Sequence, residues 1–213
     1  LFPISRQQLP GEKLEDYESV RLLLERAAAI NSHFDLTSGN SPSVAQICRH
    51  LEGMPLAIEL AAARLNILPI EQIAARLEDR LGFLTVGSPT TLPRHQALRA
   101  VIDWSFDLLT KKEQAFLCWL SVFVGGWTLE AAEIVCETIV PTQDVMDLMS
   151  SLVDKSLVEI VNVKGGAARY RMLETMRQYG WERLQLSGQW VAARHSHALY
   201  FAAQAENAEQ GMR

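Results

Sequence analysis

The feature that most constrains the fold of this chain is a Gly-x-Pro turn followed by an almost wholly apolar segment at residues 53–65. Gly53 permits backbone angles that other residues avoid, and Pro55 suits a first helical turn because its missing N–H costs nothing there. Only Glu59 and Arg64 are charged between positions 54 and 65. The segment therefore predicts a helix that is buried on most of its circumference.

Three more helices are predicted around this segment. The four predicted helices begin near Tyr17, at Ser43, at Pro55 and at Pro69, and short loops join them. The last of them carries an apolar face at helical spacing, made of Ile70, Ile73, Ala74, Leu77 and Leu81. We expect a compact all-α unit over roughly residues 17–84. Residues 1–16 contain Pro3, Pro10 and Gly11 without a sustained period and are predicted to be a loop.

A second unit is predicted after residues 87–93, where two prolines and a glycine disfavour regular structure. Helices are expected at 95–109, 111–122, 129–137 and 143–154. A β-hairpin follows, with a β-branched and apolar strand at 157–163, a turn at 164–166 and a returning strand at 168–173. Helices followed by a hairpin are typical of a winged helix, which a helix at 175–186 would complete. A last helix is expected at 190–209.

Composition limits the function classes. The chain has 48% hydrophobic and 21% charged residues, which is ordinary for a soluble globular protein. Its net charge of −5 gives no support to a general nucleic-acid-binding surface. Cys48, Cys118 and Cys136 have no C-x-x-C spacing and are expected to be buried free thiols. No membrane span or signal peptide is apparent, so a cytoplasmic location is expected.

The sequence offers no catalytic or metal-binding constellation. A phosphate-binding G-x-x-x-x-G-K-[ST] loop is absent from the 213 residues. His95, Asp103 and Ser105 have the residue types of a hydrolase triad, but no G-x-S-x-G surrounds the serine. His195 and His197 lie two positions apart on a predicted helix, where side chains diverge, so they are poor metal partners. We therefore predict a chain that is not itself an enzyme and binds no metal.

Residues 53–65 closely resemble the G-L-P-L segment of the NB-ARC/STAND nucleotide-binding switch proteins. Further blocks resemble other parts of those proteins in the same order: 19–27, 102–109, 152–158 and 169–179. The order and spacing of these blocks are most similar to those of the bacterial LuxR-type or SARP-type regulators. The resemblance implies that Gly53, Pro55 and Leu56 face a nucleotide, with the proline packed against the adenine of ATP or ADP.

The same resemblance implies a domain plan. Residues 1–16 would be a linker from an α/β ATPase domain that lies upstream, 17–86 the helical lid, 94–186 the winged helix, and 187–213 the start of a tetratricopeptide-like helical region. The chain starts at Leu1 and is therefore expected to be a fragment. No cofactor is expected in the fragment itself, whereas the longer protein would bind ATP or ADP with magnesium and is expected to be an ATPase.

One family signature is altered. The winged helix of these proteins usually carries Met-His-Asp, whose histidine contacts the β-phosphate of ADP. Met172, Leu173 and Glu174 stand at that position, and leucine cannot donate a hydrogen bond to phosphate. If nucleotide is sensed here, Arg171 or Arg177 is the candidate for the phosphate contact.

Two functional hypotheses remain. The leading one is the regulatory lid and winged-helix module of a STAND-type ATP/ADP-switched transcriptional regulator, whose partners would be the upstream P-loop domain, the downstream repeats and other copies on activation. The alternative is a stand-alone winged-helix DNA-binding transcription factor. Its recognition helix would contain Asp144, Asp147 and Asp154 against a single Lys155. Residues 100–185 hold 8 Lys and Arg against 12 Asp and Glu, a net charge of −4. This acidity favours a protein-facing winged helix.

Overall fold

A computed structural model describes residues 14–84, 93–161 and 168–211 of the chain. These residues form two compact units that divide between Leu108 and Leu109. The molecule is mainly helical with one small antiparallel sheet, which confirms the predicted fold class. Among the helices of these three ranges, none has both the length and the apolar character that crossing a membrane requires.

The first unit is helical throughout its described part. It begins with a short 3-10 helix, Leu14–Asp16, and continues with α1 (Glu18–Ile30), α2 (Ser41–His50), α3 (Pro55–Ala62), α4 (Ile70–Leu84) and α5 (Pro93–Asp107). Helix α3 packs against α1 and α5, and α2 packs against α4. The four predicted helices are present, and α5 packs with them rather than standing apart. Most of the predicted linker, residues 87–92, lies outside the described residues.

Helix α3 is buried as its sequence predicts. Its buried residues are Ala57, Ile58, Leu60, Ala61 and Ala62. The α-helix is shorter than predicted because the chain tightens into a 3-10 turn at Ala63–Asn66. Glu59 lies on the exposed side of α3, where its carboxylate accepts a hydrogen bond of 2.9 Å from Arg26 of α1. The charged pair therefore lies at the edge of the helical packing and not within it.

The second unit has the element order of a winged helix. It contains α6 (Lys111–Leu120), β1 (Trp127–Thr128), α7 (Leu129–Cys136), α8 (Thr142–Asp154), β2 (Glu159–Val161), β3 (Arg169–Arg171), α9 (Glu174–Leu186) and α10 (Trp190–Gly211). Helix α6 packs against α7, α8 and α9, while α10 packs mainly against α7. Phe116, Leu120, Val135, Met149 and Leu152 are buried between these helices.

The sheet has the strand order β1-β3-β2, and both pairings are antiparallel. The predicted hairpin is present, with Ile160 opposite Tyr170, although its predicted turn at 164–166 lies outside the described residues. Strand β1 is not predicted by the sequence because two residues are too few to show a period. Gly126, just before it, has φ +97°, and a Cβ there would lie 2.6 Å from the backbone oxygen of Tyr170. Only glycine lets the chain approach β3 this closely.

Side-chain caps define where two helices of the winged helix begin. Thr110 and Glu113 form a capping box at the start of α6, because each side chain binds the backbone N–H of the other residue. Thr128 caps α7 by accepting a hydrogen bond of 3.2 Å from the backbone N–H of Ala131. The turn between α9 and α10 is held where Trp119 donates a hydrogen bond of 2.9 Å to Gln189.

Candidate functional site

The third helix of the winged helix, α8, presents an acidic and partly apolar face. Val145, Met149 and Leu152 are buried in the unit. The exposed positions are Thr142, Gln143, Met146, Asp147, Ser150 and Asp154, and α8 contains no lysine or arginine. A helix that reads the major groove usually brings arginine, lysine, asparagine or glutamine to base edges. Only Gln143 has such a side chain here.

Lys155, which follows α8, is held by the protein itself. Its ammonium donates to the carboxylate of Glu113 and, over 2.9 Å, to the hydroxyl of Ser151. Ser151 also donates to Glu113, so the three side chains form a closed network between α6 and the end of α8. Lys155 is consequently not available as a phosphate contact without breaking this network.

Glu113 is the centre of that network and is only 5% exposed. Burial by itself would raise the pKa of Glu113, but hydrogen bonds from Lys155, Ser151 and Thr110 outweigh it and lower the pKa to about 2. The carboxylate is therefore ionised at neutral pH and balances the charge of Lys155. The arrangement joins α6 to α8. Because the carboxylate of Glu113 carries no proton, it cannot act as an acid, and its role is structural.

Other basic side chains of the winged helix are also paired with carboxylates. Lys112 contacts Asp144 at 3.1 Å, which ties α6 to the start of α8. Arg171 in the wing contacts Glu159 of the neighbouring strand at 2.7 Å. Each pair neutralises a charge that a phosphate backbone would need. Arg169 differs, since its guanidinium donates to the backbone oxygen of Gly126 at 3.2 Å.

Arg177, a predicted phosphate contact, is held by its own helix. Its Nε and Nη2 donate to the two carboxylate oxygens of Glu174 at 2.8 and 2.7 Å. These bonds, followed by one from Gln178, lower the pKa of Glu174 to about 2. Leu173, at the position of the usual histidine, is the half-buried N-cap residue of α9. Both candidate phosphate-binding arginines thus have carboxylate partners within the winged helix.

The predicted nucleotide turn follows α2 in the first unit. The backbone N–H of Gly53 donates to the backbone oxygen of Cys48 at 3.1 Å, and that of Glu52 donates to the backbone oxygen of Arg49 at 3.0 Å. These two hydrogen bonds are the pattern of a Schellman motif. Glu52 has φ +50° and Gly53 has φ +70°, so Glu52 occupies a left-handed position usually taken by glycine. Pro55 is exposed and Leu56 half-buried. Gly53, Pro55 and Leu56 belong to one unit, and the two arginines belong to the other.

The remaining predictions concern catalysis and metals. Ser105 is fully buried, and His197 packs with its ring 5.0 Å from that of Phe123. Burial lowers the pKa of His197.

Cys48, Cys118 and Cys136 are buried free thiols, as predicted. Burial raises the pKa of Cys118 to about 12, which keeps it protonated and unreactive. In the part of the chain that the structure describes, no group of three or more potential ligands gathers as a metal site would require.

Sequence reasoning missed the network of Glu113, Ser151 and Lys155. Its local half was detectable, because Thr110 and Glu113 have the S/T-x-x-E spacing of a capping box. The contacts of Glu113 with Ser151 and Lys155 span 38 and 42 positions in the sequence, and no local pattern signals such contacts.

Comparison with protein families supports the assignment of the second unit. A model of the winged helix-turn-helix domain matches residues 109–185, which begin one residue before the capping box of α6 and end within α9. The chain therefore contains a winged helix-turn-helix domain.

Comparison with curated proteins finds similar mycobacterial proteins. Two are named "Putative HTH-type transcriptional regulator", one from Mycobacterium bovis and one from Mycobacterium tuberculosis strain H37Rv. Each is 41% identical to this chain over 190 residues, which is 88% of the chain and 21% of the relative. An uncharacterized protein of the same Mycobacterium tuberculosis strain is 37% identical over 174 residues, 81% of the chain and 44% of that protein. The chain thus spans between a fifth and a half of the length of these relatives.

Proposed function

We propose that this chain is the winged-helix module of a transcriptional regulator. The observation that carries the proposal is the winged helix at 109–185 together with the similarity to proteins named as HTH-type transcriptional regulators. These findings favour the alternative hypothesis, a winged-helix DNA-binding transcription factor, over the nucleotide-switch hypothesis, because the matching names refer to transcriptional regulation and not to a nucleotide. They support its regulatory role, whereas its contact with DNA depends on the charges of the winged helix.

The charges of the winged helix support regulation through protein contacts. The exposed face of α8 is acidic, and Lys155 is bound by Glu113. Lys112 and Arg171 have carboxylate partners of their own. Duplex DNA would have to break such pairs before it could gain phosphate contacts, and the exposed aspartates would repel it. Exposed Met146 adds apolar surface of the kind that suits a protein partner.

Transcript profiling tests the regulatory proposal. In the organism that encodes the protein, the codons for residues 109–185 are removed in frame, and transcripts are compared with those of the parent strain. We expect a reproducible set of genes to change and to return to parental levels when an intact copy is supplied. An unchanged profile under all growth conditions in which the protein is made would contradict the proposal.

The nucleotide-switch hypothesis remains a more detailed proposal for the same module. It is supported by the resemblance of residues 53–65 and by the exposure of Pro55, which a base could contact. ATP or ADP with magnesium would be held chiefly by an α/β domain outside these 213 residues, and the nucleotide state would alter domain docking and oligomerisation. On this proposal the chain alone hydrolyses no ATP. Phosphate release above background that persists through repeated purification would contradict it.

A further inference from the structure

An open groove of about 410 Å³ runs between α7 and α10 on the surface of the second unit. The α7 side is lined by Glu130 and Ile134 of the helix and by Glu137, its C-cap residue, which follow one another at spacings of four and three residues. The α10 side is lined by residues between Ser196 and Asn207, also at helical spacing. At 1.5 Å per residue, this second stripe is about 16 Å long, or three helical turns.

The floor of the groove is apolar and exposed. Ile134 is 46% exposed and Leu199 is 58% exposed. Tyr200 and Ala203 continue the same surface along α10. Elsewhere on α10, Val191 and Phe201 are exposed, so apolar residues lie on several faces of this helix. Burying this exposed apolar surface of α10 against a further apolar neighbour would be favourable.

The edge of the groove on α7 is acidic. Glu130 and Glu137 are exposed, and neither forms an ion pair within the part of the chain that the structure describes. None of the side chains that line the groove is basic. Two carboxylates beside an apolar floor attract a ligand that combines an apolar stripe with positive charge. Acidic ligands and nucleic acids are repelled by the same charges.

We propose that this groove binds a helical segment of a partner protein whose apolar stripe is flanked by lysine or arginine. The apolar stripe would lie on Ile134, Leu199 and Ala203, and the basic residues would pair with Glu130 and Glu137. This is the helix-in-groove mode of recognition, in which anchors recur every three or four residues. The groove lies on a face other than the exposed face of α8, so its test is independent of the test of the regulatory role.

The test uses the full chain and three labelled peptides of about 18 residues, long enough to form helix. The first carries leucine at helical spacing between lysines, the second replaces the lysines by glutamates, and the third scrambles the first. Fluorescence anisotropy measures binding. We expect the lysine peptide to bind, more weakly as salt rises, and the glutamate and scrambled peptides to bind at least about tenfold more weakly.

Variants locate the binding site. Replacing Glu130 and Glu137 together by glutamine is expected to weaken the lysine peptide about three- to tenfold. The matched control replaces Glu18 and Glu25 of α1 by glutamine; both are exposed and lie seven residues apart, as Glu130 and Glu137 do. It changes the net charge equally and is expected to leave affinity unchanged. Leu199→Ser is expected to weaken binding as well, with an unchanged circular dichroism spectrum.

Three results would overturn the proposal. The first is absence of lysine-peptide binding, and the second is an equal loss in both double variants, which would indicate general charge attraction. The third is a dimer in sedimentation velocity that Leu199→Ser dissociates, because a second copy of the chain would then be the occupant.

Discussion

At the scale of single residues, Glu113 links the start of one helix to the end of another. It closes the capping box of α6 and also accepts hydrogen bonds from Ser151 and Lys155 at the end of α8. A buried carboxylate is stabilising only when its hydrogen bonds and counter-charge outweigh the loss of hydration. The pKa of Glu113, lowered to about 2, means that the folded protein favours the ionised carboxylate over the protonated form.

Glu113→Gln is expected to destabilise the chain by about 2 kcal/mol at pH 7, because it leaves Lys155 without its counter-charge. The stability that the ionised carboxylate contributes is present above the unfolded pKa of 4.5 and is lost as pH falls towards the folded value of about 2. Urea unfolding at several pH values measures both effects, and the variant should lack this part of the pH dependence.

Glu174→Gln is the matched control for Glu113→Gln. The pKa of Glu174 is lowered to about 2 as well, but this carboxylate is exposed to solvent. Solvent screens such pairs, so the control should change stability much less. Equal effects of the two substitutions would contradict the importance of burial at Glu113.

Gly126→Ala tests the close approach of β1 to β3. The residue has φ +97°, and its added Cβ would lie 2.6 Å from the backbone oxygen of Tyr170. Gly125→Ala is the control, because Gly125 has φ +90° and no atom within 4 Å of an added Cβ. Gly125→Ala should cost about 1–2 kcal/mol from backbone strain alone, and Gly126→Ala should cost clearly more. Equal losses in thermal unfolding would mean that the sheet can shift to accommodate the methyl group.

At the scale of elements, local pattern predicted most of the fold. The bounds of α6 to α10 agree with the sequence to within two residues, because apolar periodicity and turn residues are local signals. The missed strand β1 and the missed packing of α5 both depend on distant partners. Strand β1 exists only because β3 lies beside it, and α5 packs with α3 and α4 although the sequence associates it with the winged helix. The predicted division into residues 1–16, 17–86, 94–186 and 187–213 remains a prediction.

Pro55→Ala tests the start of α3. Alanine is a good helix former and Pro55 is exposed at the first turn, so the thermal midpoint should fall little. If the turn faces a nucleotide, ADP affinity should fall more than stability does, because an apolar surface against the base is lost. Thermal unfolding of this chain and ADP titration of the longer protein with its phosphate-binding domain measure the two effects. Unchanged ADP affinity would mean that Pro55 only starts a helix.

At the scale of the whole molecule, a unit that is helical throughout its described part is followed along the chain by an acidic winged helix. The architecture alone is compatible with either DNA or protein contacts, because winged helices share a fold and differ in their surfaces. The surface charges are the basis for proposing protein contacts. Lys112, Lys155 and Arg171 are paired with carboxylates, whereas Arg169 donates to a backbone oxygen. We propose that this winged helix acts without binding DNA itself.

A titration with duplex DNA tests this proposal. The intact chain is titrated into a labelled pool of random duplexes at about 0.15 M salt, beside a variant in which Asp147 and Asp154 are lysine. We predict no salt-sensitive binding below micromolar for the wild type, and measurable affinity for the lysine variant because four units of charge change on the exposed face of α8. Sub-micromolar, salt-sensitive binding of the wild type that weakens when Arg169 and Arg171 are replaced by glutamine would contradict the proposal that this winged helix does not bind DNA.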